Sequence, residues 1–183
     1  MDPVVLDAGP LRLRPWRADD VDAVWAVFQD AEVRLWNGGG VATRDDAAAL
    51  LARRMDWSAG DHAAWAVVDA ATDVVLASMS VHSIDRVGTD AEVGYWTAPA
   101  AWGRGVAAVD AACRRAFATL PVDRIELLHA VENAASGRVA QKASFTYEGH
   151  LRRSYRYGDG VKHDKLLWAR LAEDPAPAVS IRS

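Results

Sequence analysis

Ala91-Glu92-Val93-Gly94-Tyr95-Trp96-Thr97, then Ala98-Pro99-Ala100-Ala101, then Trp102-Gly103-Arg104-Gly105-Val106-Ala107 is the stretch that decides how this chain is read. Its first seven residues carry the aromatic and β-branched side chains of a strand. A glycine-bearing loop then opens a helix in which Val106, Val109, Cys113, Phe117 and Leu120 recur at helical spacing, and Pro121 ends it. The first turn of a helix presents unpaired N–H groups and the positive end of its dipole. Glycines let that backbone approach a phosphate, and Arg104 adds a fixed charge. A plain structural turn accounts for the same residues. The loop lacks the Gly-Lys-Ser/Thr of a P-loop and lacks Gly-x-Gly-x-x-Gly. Its strand sits in a meander rather than opening a βαβ unit. Nucleoside triphosphatases and dinucleotide oxidoreductases are therefore disfavoured.

Upstream, Leu11-Arg12-Leu13-Arg14 alternates as a strand, and Asp19 or Asp20 can cap a helix with Val21, Val24, Trp25 and Phe28 on one face. Trp25 is expected in the core. Trp36-Asn37-Gly38-Gly39-Gly40 reads as a break. Thr43 with Asp46 forms a capping-box signal for a helix carrying Leu50, Leu51 and Met55, ending near Gly60. Strand signals follow at 63–69, 74–82 and 91–97, separated by short polar turns. Downstream, 125–131 is a strand and 133–143 a short helix. The segments 145–157 and 161–171 are strands around the turn Gly158-Asp159-Gly160. The order is β-α-α-β-β-β-α-β-α-β-β, a mixed α/β pattern without a domain boundary, and 173–183 is expected to be a flexible tail.

The chain has 183 residues, a net charge of −4 and 51% hydrophobic residues, 36 of them Ala. This length supports a buried core in one domain without disulfides or metals. The single Cys113 excludes a disulfide framework and a multi-cysteine zinc site, and its place on an apolar helical stripe predicts a core residue. No apolar run is long enough to span a membrane, and Met1-Asp2-Pro3-Val4 has no basic n-region, so a cytoplasmic protein is expected. Residues 1–90 hold 8 Lys/Arg against 15 Asp/Glu, and residues 91–183 hold 13 against 10. One reading of this asymmetry is incidental. The other places an anionic ligand against the second half and a cationic one against the first. The positive charge is too low for a nucleic-acid surface.

Two spaced motifs give this sequence a resemblance. Trp102-x-x-Gly105-x-Ala107 is similar to the Gln/Arg-x-x-Gly-x-Gly/Ala signature of the GCN5-related N-acetyltransferases (GNAT), departing at its first position. The second is Asn133-Ala134-Ala135-Ser136, continuing to Lys142-Ala143-Ser144-Phe145, where Ser144 stands in place of the family's usual Gly. With Leu11-Arg12-Leu13-Arg14-Pro15-Trp16 and Asp19-Asp20, they look like the branch of ribosomal-protein N-terminal acetyltransferases. The resemblance covers about residues 10–172 of a chain read as one acyl-CoA N-acyltransferase domain, 1–183. It implies a mixed, mostly antiparallel sheet of about seven strands, splayed between 91–97 and 125–131, with about four helices on its faces.

The resemblance further implies acetyl-CoA as acyl donor, with no metal. Pantetheine would lie in the splay against Tyr95, Trp96 and Thr97. The pyrophosphate would rest on Trp102, Gly103, Arg104, Gly105, Val106 and Ala107, and Asn133 and Ser136 would lie beside the thioester. The reaction implied is direct attack of a primary amine on a thioester, which needs a proton acceptor, carbonyl polarisation and a proton for the leaving thiolate. A strand N–H near Tyr95 is the candidate for polarisation. Glu92 is the candidate base, with a solvated strand-end Glu as its alternative. Ser136 is the candidate donor to the thiolate, with a helix cap as its alternative. His82 and His129 could serve as bases but also suit ordinary strand positions. Tyr155, Tyr157, Trp36 and Trp57 could frame the acceptor or simply pack. The acceptor itself, a protein N-terminus or a small-molecule amine, is not legible, nor is the choice of monomer or homodimer. A non-catalytic acyl-CoA-binding module is the competing reading.

Overall fold

The computed structural model describes residues 1–37, 40–101 and 105–177. Eight strands form one sheet: β1 (Leu6–Ala8), β2 (Leu11–Pro15), β3 (Ala63–Asp69), β4 (Val75–Asp85), β5 (Asp90–Thr97), β6 (Arg124–Ala130), β7 (Thr146–Arg156) and β8 (Lys162–Leu171). Their spatial order is β1-β2-β3-β4-β5-β6-β8-β7, antiparallel throughout except for β5 beside β6. The helices are α1 (Val21–Val27), α2 (Ala31–Trp36), α3 (Arg44–Met55), α4 (Gly105–Thr119) and α5 (Ala134–Lys142). The mixed α/β GNAT-type sheet is present, with one strand and one helix beyond the expected count. The additional elements are β1 and α2.

Alternation along the strands sorts two apolar layers. On one face Leu11, Leu13, Trp65, Val67, Met79, Val81, Ala91, Val93, Ile125 and Leu127 pack with the small side of α4, whose Ala108, Val109, Ala112, Cys113 and Ala116 are buried. On the other, Ala64, Ala66, Val68 and Trp96 receive Val21, Val24 and Phe28 of α1, Val33 of α2, and Ala47 and Leu51 of α3. The alanine richness thus serves close helix–sheet approach. Cys113 is wholly buried, and burial pushes its thiol up to about 12.

Several local expectations are corrected. Trp25 is 38% exposed, because the buried stripe of the seven-residue α1 runs through Val21 and Val24 to Phe28 just beyond its end and leaves Trp25 on its flank. Asp20 does not cap α1 with its side chain: its carboxylate accepts both arms of the Arg14 guanidinium at 2.8 and 2.7 Å, and the Arg17 N–H at 2.8 Å. The capping box Thr43/Asp46 does form at the start of α3, but that helix stops at Met55, and Met55 is exposed. At the end of α5 the Phe145 N–H donates to Ala140 O at 3.0 Å and the Ser144 N–H to Gln141 O at 3.3 Å. This is a Schellman closure, with Ser144 at φ +61° in the place that favours glycine.

Candidate active site

The parallel pair β5/β6 is short. Asp90 pairs with Arg124, Ala91 with Ile125, Glu92 with Glu126 and Val93 with Leu127, and there the ladder ends. From Gly94 to Thr97 β5 stays with β4, while from Leu128 to Ala130 β6 stays with β8. The strands part after Val93 and Leu127. A cavity of about 920 Å³ occupies the opening and reaches both faces of the sheet.

Towards α4 and α5 the cavity is lined by Tyr95, Trp96, Thr97, Gly105, Val106, Asn133 and Ser136, residues expected there from the motifs. The Trp96 ring points the other way, 6.0 Å from both Trp16 and Phe28, so Trp96 offers its backbone to the opening. Ala107 is partly buried against the core and is not among the residues lining the cavity. Gly105 is the first residue of α4. A Cβ there would meet Thr97 Oγ1 at 3.7 Å and Val139 Cγ2 at 3.9 Å, ordinary contacts. The expectations for Trp102, Gly103 and Arg104 lie outside the described residues.

Ser136 is not the cap of α5. Asn133 is, its side chain accepting the Ser136 N–H at 3.1 Å. The Ser136 hydroxyl instead meets the Tyr95 hydroxyl at 2.7 Å across the opening. Burial pushes the Tyr95 phenol up to about 12, so it keeps its proton throughout the neutral range. Arg138 and Lys142 also line this side, with Ala135 and Val139. Spaced i, i+3, i+4, i+7, these four share one face of α5, a pattern present in the sequence that the motif comparison passed over.

On the opposite side stand Trp36, Arg53, Arg54, His62, His82, Glu92, Tyr155 and Tyr157. Glu92 and His82 are cross-strand partners, with Glu92 Oε1 3.7 Å from His82 Nε2. Desolvation lowers the His82 pKa below the usual imidazole value. Glu92 opposes the shift, while Arg54 and His62 reinforce it. His82 is therefore neutral at physiological pH and faces the cavity beside a carboxylate. His129 lines the wall with both ring nitrogens engaged: Nδ1 donates to Ala130 O at 2.7 Å, and Nε2 accepts from Trp168 Nε1 at 3.0 Å. Neither nitrogen is left over for a proton relay in this arrangement.

Trp36 lies edge-on to Tyr157 at 5.5 Å, and Tyr157 to Tyr155 at 4.8 Å, an aromatic wall shared by α2 and the β7–β8 hairpin. Trp57 is not part of it: it is buried against Trp65 at 5.1 Å. Arg54 went unread in the sequence. Ala47, Leu51 and Arg54 fall at i, i+4, i+7, so the guanidinium continues the buried stripe of α3. Among the described residues no cluster of metal-ligating side chains occurs, and no helix is long and apolar enough to cross a membrane.

Residues 10–146 match the family model described as Acetyltransferase (GNAT) domain, and the chain belongs to the GNAT acetyltransferases. Among curated proteins it is 34% identical over 100 residues to one of Bacillus subtilis (strain 168) named "Putative ribosomal N-acetyltransferase YdaF". That match covers 52% of this chain and 53% of the relative, about half of each. The "Uncharacterized N-acetyltransferase YoaA" of the same organism is 26% identical over 171 residues, covering 90% of this chain and 95% of that one. Among solved structures, Mycobacterium smegmatis RimJ in complex with CoA-disulfide superimposes with a TM-score of 0.81 at 22% identity, covering 94% of this chain and 87% of that chain. The RimJ likeness shows the fold, and the YdaF name is in line with the ribosomal-acetyltransferase branch that the opening residues and motifs suggested.

Proposed function

We propose that this protein transfers an acetyl group from acetyl-CoA to a primary amine by direct attack on the thioester, working in the cytoplasm as one acyltransferase domain without a metal. The observation that carries the reading is the parting of β5 from β6 over a cavity spanned by the Tyr95–Ser136 hydroxyl pair. Acetyl-CoA supplies the thioester. The free edge of β5 from Gly94 to Thr97 receives the pantetheine arm as an added strand would be received. Arg138 and Lys142, with the motif residues 102–107, meet the phosphates. A β5 backbone N–H polarises the carbonyl.

The Glu92–His82 pair takes the proton that the amine loses as its nitrogen forms the new N–C bond. The Ser136–Tyr95 pair returns a proton to the sulfur as the C–S bond breaks. Trp36, Tyr155 and Tyr157 hold the acceptor from the other side. The RimJ structure, a complex with CoA-disulfide, supports the choice of cosubstrate, and the YdaF relative supports a protein N-terminus as the acceptor. The test incubates the protein with acetyl-CoA and a panel of amines, with free thiol as the readout. Acceptor-dependent thiol release is expected. Tight acetyl-CoA binding without release against any amine would overturn the transfer and leave an acyl-CoA-binding module.

A further inference from the structure

The acceptor side of the cavity is not the acidic surface that its half of the sequence suggests. Residues 1–90 hold 15 acids, yet of these only Glu32 lines the cavity, beside the cations Arg53 and Arg54. Arg54 is the unusual member. It occupies an apolar-stripe position of α3, its Nε is buried without a hydrogen-bond partner, and no carboxylate among the described residues pairs with its guanidinium. Glu92, the acid nearest in the chemistry, is engaged with His82. A partly desolvated guanidinium without a counter-ion is costly, and here burial together with the Arg53 charge lowers its pKa to about 10. It remains charged at neutral pH. Its planar fork matches a carboxylate in two-pronged fashion, which a lysine could not do.

We propose that Arg54 is a specificity residue that receives a carboxylate carried by the acceptor itself, so that the preferred substrates are amines bearing an acidic group close to the reacting nitrogen. This rests on the acyl-transfer reading for the identity of the occupant. The carboxylate can come from the α-carboxylate of a free amino acid or from an acidic side chain beside a peptide N-terminus. Both supply the same two oxygens to the fork. Anchoring that group at Arg54 brings the amine into the same cavity wall as His82, on which the Arg54 charge acts, and its partner Glu92.

The test is equilibrium binding by calorimetry to the full chain in the presence of coenzyme A, which is independent of turnover. Two isosteric pairs separate the sources: glycine against glycinamide, and the dipeptide amide Ala-Glu against Ala-Gln. One acidic member is expected to bind about tenfold more tightly than its neutral partner, corresponding to about 1.4 kcal/mol. Arg54→Gln should abolish that preference, and Arg44→Gln, on the exposed surface of the same helix outside the cavity, should retain it. Arg54→Lys, which keeps the charge and is the fallback if the glutamine variant does not fold, should reduce it. Equal binding within both pairs, no binding by any of the four compounds, or an undiminished preference in Arg54→Gln or Arg54→Lys would each overturn the proposal. A preference lost in Arg54→Gln, with no thiol released on adding acetyl-CoA, would refute acyl transfer while upholding the carboxylate site.

Discussion

Gly158→Ala tests how the acceptor wall is assembled. Gly158 begins the β7–β8 turn and abuts the end of α2, donating its N–H to Leu35 O at 2.9 Å. A Cβ built there would stand 2.3 Å from Arg34 O, 3.1 Å from Arg34 C and 3.2 Å from Leu35 Cα, all backbone atoms that cannot swing aside. The hairpin must retreat by about 1 Å to reach ordinary contact, lengthening the Gly158–Leu35 hydrogen bond and drawing Tyr157 off Trp36. Overpacking of this kind costs roughly 1–3 kcal/mol, and a weakened hydrogen bond adds about 1 kcal/mol. The expected loss of roughly 2–4 kcal/mol lowers the melting temperature by roughly 4–16 °C in a chain of this size. Chemical denaturation gives the first number and calorimetry the second. Kinetically, KM for the amine should rise while the affinity for acetyl-CoA stays constant, because the strand opening is untouched. A variant as stable as the parent, or one impaired equally towards both substrates, would refute the argument that this contact seats the wall.

Glu92→Gln should lower kcat by about 10²–10⁴-fold with acetyl-CoA affinity unchanged, and the loss should shrink as pH rises towards the pKa of the amine; steady-state kinetics across pH reads both. Tyr95→Phe should preserve the fold and slow the release of thiol, whereas a proton delivered from water alone predicts an unchanged kcat. Ser144→Gly removes a side chain from a left-handed position and should stabilise the protein by about 1 kcal/mol in urea. His129, held neutral by burial, has its folded pKa below the unfolded value of about 6.5. As pH falls below that value the unfolded chain takes up the proton first, so His129 draws stability down until the folded pKa is passed. Above it the residue contributes no slope. His129→Gln should flatten the stability profile on that acidic side.

The parts of the fold that were legible carry their signal in consecutive residues. β3 begins and ends where its apolar run and the flanking turn residues place it, and the Thr43/Asp46 box marks the start of α3. β1 was missed because three residues have no period to detect: it exists through backbone pairing with β2 around Gly9. α2 is six residues long, too short to nucleate alone, and is held by the Asp30 side chain, which accepts the Glu32 and Val33 N–H groups, and by the contact at Gly158. The cavity followed from the motifs as far as β5, α4 and α5 are concerned. Its other wall joins α2, α3 and the distant β7–β8 hairpin, a juxtaposition that no local pattern encodes. The overall charge of residues 1–90 is no guide to the cavity because of its acids only Glu32 lines it, while others, such as Asp20 and Asp73 around Arg14, serve ion pairs elsewhere.

The parallel ladder between β5 and β6 comprises four residue pairs, yet it is the seam between two panels, β1 to β5 on one side and β6, β8 and β7 on the other. The other ties include contacts of α4 and α5, such as Arg170 of β8 reaching Asp110 of α4 at 2.9 Å, and the bond from Gly158 of the hairpin to Leu35 of α2. A sheet interrupted in this way is weakest to shear along the seam. A molecule lying in the gap and bonded to both edges adds rungs where the chain has none. Occupancy is then a mechanical as well as a chemical event: ligand at about a hundred times its Kd contributes about 2.7 kcal/mol to the folded state, felt as a stiffening of one panel against the other. The amides of Gly94–Thr97 and Leu128–Ala130 are where slowed hydrogen exchange would register it.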